Sequence, residues 1–236
     1  MKSEQEARAI PVDYDDDPER FRAVARATER YALVGDVHED VADRLSRKGH
    51  EPALDLGCGD GRLISLLRQR DMQIVGLDSS PTMLSAASGP RARGDATLLP
   101  FRNGSFTSVA ALYMLYHLPD PRRVIAEAYR VMRRGGLFVA CAPSRYNDPE
   151  LASVLPQSPM TFDAENGPEL VGEFFTDVEV ERWDGPLVHL PDRDALTLYL
   201  YGHGLARLEA EKAWLRVSTP LTITKRGALI YAYKRS

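Results

Sequence analysis

Apolar residues along the chain fall into short unbroken runs, separated by stretches in which they recur every three or four positions. ALDLG (53–57) is a run that ends in glycine. After it, Leu63, Leu66 and Leu67 recur at helical spacing as far as about Arg70. IVGLD (74–78) reads as the next strand. Ser80 before Pro81 supplies an N-cap and first-turn pair for a helix carrying Met83, Leu84 and Ala87. A third strand is expected near residues 91–94 and a fourth over 108–115. Asp120-Pro121 repeats the cap signal, and the helix after it places Ile125, Ala128, Tyr129 and Met132 on one face before a stop at Gly135. LFVACA (137–142) reads as a fifth strand.

The flanks differ from this alternation. Residues 11–20 are acidic and read as a surface lead-in, and residues 19–48 as two helices broken near Gly35–Asp36. Past the fifth strand come VEVERW (178–183), a helix near residues 194–205, LTIT (221–224) and ALIYAY (228–233). A late pair of strands without a full helical repeat predicts an antiparallel edge. The whole pattern predicts a doubly wound α/β domain with a mostly parallel sheet.

With 236 residues, 44% of them hydrophobic and 27% charged, the chain has the length and composition of one globular domain. The formal net charge of −4 gives no overall attraction to nucleic acid or to an anionic membrane. Arg22, Arg26 and Arg30 share one helical face, with Glu19 and Glu29 close by, which reads as a solvated face. A phosphate-binding stripe for RNA is the alternative. Cys58 and Cys141 lack zinc or disulfide spacing, as suits a reducing compartment. His38, His50, His189 and His203 show no metal-ligand pattern and read as solvated or capping groups, so no metal is expected. The opening MKSEQEARAI lacks the apolar core of a secretory signal, and no apolar run approaches the ~20 residues that span a bilayer. The expectation is a cytoplasmic protein that does not enter a membrane.

The strongest local signal is ALDLGCGDGR (53–62), a strand running into Gly57, Gly59 and Gly61 and then a helix. Glycine permits positive φ and lets a ligand approach the backbone where a Cβ would clash. Such loops hold both dinucleotides and S-adenosylmethionine (SAM). Counted from Gly57, the dinucleotide fingerprint needs a small residue where this chain has Arg62. Asp55 also stands two residues before the first glycine, where a carboxylate would repel a pyrophosphate and suit an ammonium group. SAM carries that ammonium and no phosphate. Asp78, about 20 residues beyond the loop, is placed to accept hydrogen bonds from two ribose hydroxyls. In GDA (94–96), Asp95 can accept from an adenine amino group, and Met83 can lie on the adenine face.

At LDLGCGDGR, VGLDSSPTML, GDATLLPFRNGSF and LYHLPDPRRVIAEAYRVMRRGGLFV the chain resembles the class I SAM-dependent methyltransferases, specifically their ubiquinone-biosynthesis-like group. The resemblance is strong over residues 50–142 and weak elsewhere. It implies a seven-stranded Rossmann-like sheet with an antiparallel C-terminal edge and an N-terminal helical lid. Within one domain, 1–50 would be the lid segment, 51–142 the SAM-binding core, and 143–236 the substrate-side insertions and closing strands. It further implies Asp55, Gly57, Gly59 and Gly61 around the methionine portion, Asp78 and Ser79 near the ribose, Met83, Asp95 and Ala96 near adenine, and Leu112 contributing backbone to the amino group. Two positions depart from the family pattern, Thr107 where Asp is usual and Arg134 where Pro is usual.

Methyl transfer is an in-line displacement on an already activated sulfonium, so the protein positions the nucleophile and can remove its proton. His117, just past the fourth strand, is the candidate general base, although a loop-shaping role is the competing reading. Tyr113 and Tyr116 flank it as candidate acceptor-pocket residues. Ser144, Arg145, Tyr146 and Asn147 leave the fifth strand on the same edge and are further substrate-side candidates. The N-terminal helices and residues 148–165 are expected to form the lid. No N/D-P-P-Y sequence follows the fourth strand, which counts against methylation of a base amino group. The expected function is methylation of a small molecule at O, N or C. The alternatives are a tRNA-modifying methyltransferase and a SAM-binding protein that transfers no methyl. The sequence carries no sign of oligomeric state.

Overall fold

The computed structural model describes residues 14–33, 35–47, 49–155 and 159–235. Residues 11–13 of the acidic lead-in and 156–158 of the expected lid segment lie outside these. The central pair of strands is β1 (Ala53–Leu56) and β4 (Phe106–Leu112), parallel and in register from Ala53 opposite Ser108 to Leu56 opposite Ala111. Outward on one side lie β2 (Ile74–Asp78) and β3 (Arg91–Arg93). On the other lie β5 (Met132–Pro143), β7 (Leu221–Tyr233) and β6 (Asp177–Leu190). The sheet has seven strands in the order β3-β2-β1-β4-β5-β7-β6, with β7 antiparallel to both of its neighbours. The doubly wound α/β expectation with an antiparallel edge is met.

The helices are α1 (Pro18–Tyr31), α2 (Val37–Arg47), α3 (Arg62–Arg68), α4 (Pro81–Ala86), α5 (Pro121–Val131), α6 (Gly167–Gly172), α7 (Arg193–Gly202) and α8 (Arg207–Lys212). Their starts follow the sequence signals. Ser80 Oγ accepts from Met83 N at 3.1 Å before Pro81, and Asp120 from Arg122 N at 3.2 Å before Pro121. Asp192 caps α7 by accepting from Ala195 N at 2.9 Å.

Two cores sandwich the sheet. Val124, Ile125, Ala128 and Val131 of α5 meet Leu170 and Val171 of α6 over Leu54, Leu56, Val109 and Phe138 on one face. Val41, Ala42 and Leu45 of α2 meet Leu63, Ile64 and Leu67 of α3 over Ala53, Ala110 and Val139 on the other. A third cluster stands apart: Ala23 and Ala27 of α1, Leu196, Tyr199 and Leu200 of α7, Ala210 of α8, and Val188, Leu190 and Ile223 at the ends of β6 and β7. Gly227 of β7 is paired with Pro143, the last residue of β5. Residues 221–226 therefore run past the end of β5 and carry this cluster beyond the edge at which the parallel strands end.

Several boundaries differ from expectation. The fifth helix ends at Val131, not Gly135, because Met132 already takes extended backbone and pairs with Phe106. Gly135, at φ 72°, then sits in a kink where its N–H meets Lys234 O at 2.9 Å. The fourth strand ends at Leu112 rather than Leu115, since Tyr113 turns to φ 55° and Leu115–His117 forms a tight 3-10 turn. LTIT and ALIYAY are one continuous strand, and VEVERW is the start of a longer one. Lys225, Arg226 and Gly227, between those two stretches, keep pairing with β6. Among the described residues no helix is long and apolar enough to cross a membrane.

Candidate active site

The turn after β1 places Gly57, Gly59 and Gly61 at φ 64°, 54° and 84°, all in the left-handed region. Gly57 is also pressed from behind: a Cβ there would lie 2.7 Å from Met114 Cβ. The loop is tied to the next strand through Asp78. Asp78 Oδ2 accepts from Gly59 N at 2.9 Å, and Oδ1 from Ser80 N at 2.9 Å. Each carboxylate oxygen retains accepting capacity, so the ribose contact implied for Asp78 is compatible with these bonds.

Asp55 lies beneath the loop and is only 3% exposed. Among the described residues no Lys or Arg forms an ion pair with it. Burial, with Asp78 and Asp60 nearby, pushes its pKa up to about 8. A buried acid without a cation is a costly arrangement, and a ligand ammonium would relieve it.

The other implied cofactor residues gather along the same edge, at the ends of β2, β3 and β4. Ser79 is exposed, and its carbonyl accepts from Arg93 Nε at 3.1 Å. Met83 and Ala96 are buried. Asp95 is exposed, and its Oδ1 accepts from Thr97 N and Thr97 Oγ1, both at 2.8 Å, which holds its carboxyl below the usual range. Leu112 is buried opposite Cys141 at the end of β4.

Past Leu112, the backbone of Tyr113 is strained into the left-handed region while its N–H reaches Cys141 O at 3.0 Å. Burial raises the Tyr113 and Tyr116 hydroxyls well above their ordinary pKa. The Tyr116 and His117 rings are 4.5 Å apart. His117 Nε2 lies 3.0 Å from the hydroxyl of Tyr14, whose ring stands edge-on to the imidazole at 5.8 Å.

Tyr14 belongs to the segment read as a surface lead-in; Asp16 is exposed as that reading expects, but Tyr14, Asp15 and Asp17 are engaged with the fold. The Tyr14 ring also meets Phe21 at 5.4 Å, and Phe21 Cζ lies 3.7 Å from where a Cβ on Gly59 would be. Burial and the charge of Asp78 push the Tyr14 hydroxyl up to about 12. Asp15 accepts from Ser80 Oγ at 2.7 Å and Thr82 N at 3.2 Å, and Asp17 from Tyr201 of α7 at 2.8 Å. Two acids and an aromatic thus strap the N-terminal segment across the glycine-loop side of the crevice. The legible signal was Tyr14 itself, an aromatic residue set among acids, which a solvated surface would not require.

The turn after β5 faces elsewhere. Ser144 Oγ donates to Glu165 Oε1 at 2.5 Å, and Arg145 Nη2 to Asp163 Oδ1 at 3.0 Å. Asn147 Oδ1 accepts from Arg226 N at 2.8 Å, and Tyr146 is 54% exposed. Ser144 and Tyr146 line an open cleft of about 340 Å³ with Glu165, Arg182, Asp184 and Arg226. This cleft lies toward β7 and β6, two and three strands from β4, or roughly 10 and 14 Å at ordinary strand spacing. Among the described residues, the hydrogen bonds donated by Ser144 Oγ and Arg145 and the ion pairs of Arg145 run to Glu165 and Asp163, away from Tyr113 and Tyr116.

Over the crevice edge, Lys225 Nζ meets Asp148 Oδ1 at 2.7 Å and Tyr199 OH at 2.6 Å, while Tyr199 OH donates to Asp148 Oδ2 at 3.0 Å. His203 stacks on Tyr199 at 4.0 Å, and burial pushes its pKa down to about 4. Its Nδ1 lies 2.8 Å from Tyr199 O at the end of α7, the capping one of the two roles, solvated or capping, expected for it. On the outside, Arg22 and Arg26 pair with Glu19, as a solvated face does. Among the described residues no group of three or more His, Cys, Asp or Glu is arranged to hold a metal ion.

Comparison with known proteins gives a consistent picture. A methyltransferase-domain family model matches residues 54–140. An uncharacterized methyltransferase of Mycobacterium sp. (strain JLS) is 34% identical over 128 residues, 52% of this chain and 50% of that protein. The chain thus spans about half the length of the first of the curated relatives it matches. The match to methyltransferase GfsG of Streptomyces halstedii is broader, 30% identical over 228 residues, or 85% of this chain and 79% of that one. Among solved structures, the [4+2]-cyclase SpnF shares the fold at a TM-score of 0.61 and 18% identity, covering 98% of this chain and 99% of that chain.

Proposed function

The chain belongs to the class I SAM-dependent methyltransferases, and from that premise we propose that it methylates a small-molecule acceptor at oxygen, nitrogen or carbon and releases S-adenosylhomocysteine. The observation that carries the cofactor reading is Asp55, a buried carboxylate without a cation under three glycines in left-handed conformation. That donor set fits the ammonium and methionine portion of SAM, which supplies a methyl group already activated on a sulfonium. On this reading Asp55 holds the ammonium, Asp78 and Ser79 the ribose, and Met83, Asp95 and Ala96 the adenine. The backbone at Leu112 completes the contact to the amino group. The narrower likeness to the ubiquinone-biosynthesis-like group belongs to the proposal and rests on the motif stretches.

The acceptor would lie at the end of β4, beside Tyr113 and Tyr116, under a cover made by the Tyr14–Asp17 strap, α1 and α7. His117 is a candidate base with a condition attached. The Tyr14 hydroxyl occupies Nε2 at 3.0 Å and stays protonated below about pH 12, so an acceptor hydroxyl must displace Tyr14 before that nitrogen can take its proton. Ser144, Arg145 and Tyr146 would then serve only an acceptor long enough to extend toward β6. A cytoplasmic setting is supported by Cys58 and Cys141, both free thiols and buried.

The fold is shared end to end with a protein described as a cyclase, so fold alone does not separate methyl transfer from other chemistry. Transfer of label from methyl-tritiated SAM into host-cell extract, fractionated into small molecules, RNA and protein, separates the readings. Label in small molecules is the expected result. Label confined to RNA would instead support a tRNA-modifying enzyme, and SAM binding with no label in any fraction a protein that does not transfer methyl.

A further inference from the structure

Two imidazoles stand near the end of β4, and they differ in which nitrogen is engaged. His117 meets Tyr14 through Nε2. His38, in the first turn of α2, has its ring 6.3 Å from that of Tyr113, and its engaged nitrogen is Nδ1, 2.9 Å from Asp36 Oδ1. The same Asp36 oxygen accepts the His38 backbone N–H at 3.1 Å. Asp36 Oδ2 faces Arg62 Nε at 2.5 Å, and Arg62 is the residue directly after Gly61 of the glycine loop.

Burial alone would raise the Asp36 carboxyl. The His38 ring and backbone N–H, with the Arg62 charge, outweigh it and hold the carboxyl down at about 2. Asp36 is therefore ionised across the working pH range, and its carboxylate holds an imidazole proton of His38 on Nδ1. Nε2 is left as a lone-pair acceptor. Among the described residues Nε2 of His38 has no hydrogen-bond partner. Among the described residues the ring of His38 faces Asp36 ahead of α2 and Tyr113 after β4; Arg62 of α3 acts on Asp36, and Tyr113 is bonded in turn to Cys141 of β5. A carboxylate that orients an imidazole beside a ligand crevice is the arrangement used to activate a nucleophile.

We propose that His38 takes the proton of the methyl acceptor through Nε2, with Asp36 as its positioning residue. This rests on the methyl-transfer reading and narrows the acceptor to a hydroxyl, phenol or protonated amine, a nucleophile that must lose a proton. The acceptor's heteroatom–hydrogen bond breaks toward Nε2. The freed electron pair forms the bond to the methyl carbon, and the electrons of the methyl–sulfur bond stay on sulfur as a neutral thioether. The imidazole ends as imidazolium and returns its proton to water.

The bland role for the same pair is capping, since Asp36 O also accepts from Glu39 N at 2.9 Å at the start of α2. Two readouts separate them. Long-range nitrogen–proton NMR of the free protein should show His38 protonated on Nδ1, and Asp36→Asn, which preserves a cap, should release that preference. In the label-transfer assay, His38→Gln should lose tenfold or more of the small-molecule signal and change the pH profile of transfer, while S-adenosylhomocysteine affinity by calorimetry stays unchanged. An unaltered tautomer in Asp36→Asn overturns the proposal. So does transfer by His38→Gln with the wild-type pH profile, or loss of the pH-dependent limb in His117→Gln alone. A wild type that labels nothing overturns the methyl-transfer reading and this role with it.

Discussion

From β1 to β4, each candidate cofactor residue sits within a few positions of a strand end, whereas the polar groups that meet in the cap come from positions 148, 199 and 225. In the first region a parallel sheet brings successive strand ends to one edge, so a residue's place in the chain nearly fixes its place in the site. In the second, α1, α7 and the overhanging ends of β6 and β7 are joined by packing between distant segments. The difference teaches where local pattern carries chemistry and where only tertiary contact does.

The largest expected effect lies in the cap. Lys225→Met leaves Asp148 buried without its cation and should destabilise the protein by about 3–5 kcal/mol in denaturant unfolding. Adding Asp148→Asn should recover much of that loss. If Lys225→Met unfolds no more easily than wild type, the cap is not held by this pair.

Asp55→Asn probes the other region and should act in two directions. Ligand affinity should fall on the order of 30-fold or more, as when one partner of a buried charge pair is removed. Stability of the free protein should improve at neutral to alkaline pH. The folded pKa of Asp55, about 8, lies above its unfolded value. Its favourable contribution is therefore complete below the unfolded pKa and is lost as pH rises through 8. Asn removes that slope, and thermal melts from pH 5 to 9 would show it.

Tyr14→Phe joins the two regions and should have a smaller effect. It deletes one hydrogen bond to His117, worth about 1 kcal/mol, so S-adenosylhomocysteine should leave severalfold faster by stopped flow, with melting temperature little changed. Smallest of all, alanine at Arg22, Arg26 and Arg30 should leave both the distribution of methyl label and its salt dependence as in wild type.

The same contrast explains what the sequence made legible. Gly57, Asp78 and the Ser80-Pro81 and Asp120-Pro121 caps are local features, and the structure places each at the element boundary it implied. Met132 was read as the last buried position of a helix because a buried methionine fits either period; pairing with Phe106 decided for the strand. Ser144, Arg145 and Tyr146 were placed by edge topology alone. That rule gives the correct end of the sheet but not the lateral distance from β4. The Asp148–Tyr199–Lys225 cluster left no trace, since its members are separated by up to 77 residues. Asp36 and His38 are two residues apart, yet nothing local distinguishes an oriented imidazole from a helix-capping turn until Tyr113 and Arg62 are seen beside it.

The most direct test of the account is calorimetry of S-adenosylhomocysteine at pH 7 in two buffers of different ionisation enthalpy. Asp55 is mostly protonated in the free protein at that pH and must ionise to hold an ammonium, so binding should release about one proton per site, and affinity should weaken as pH falls below 8. Binding with no proton release, equal in wild type and Asp55→Asn, would contradict the assignment of the glycine loop and its buried carboxylate as the SAM site.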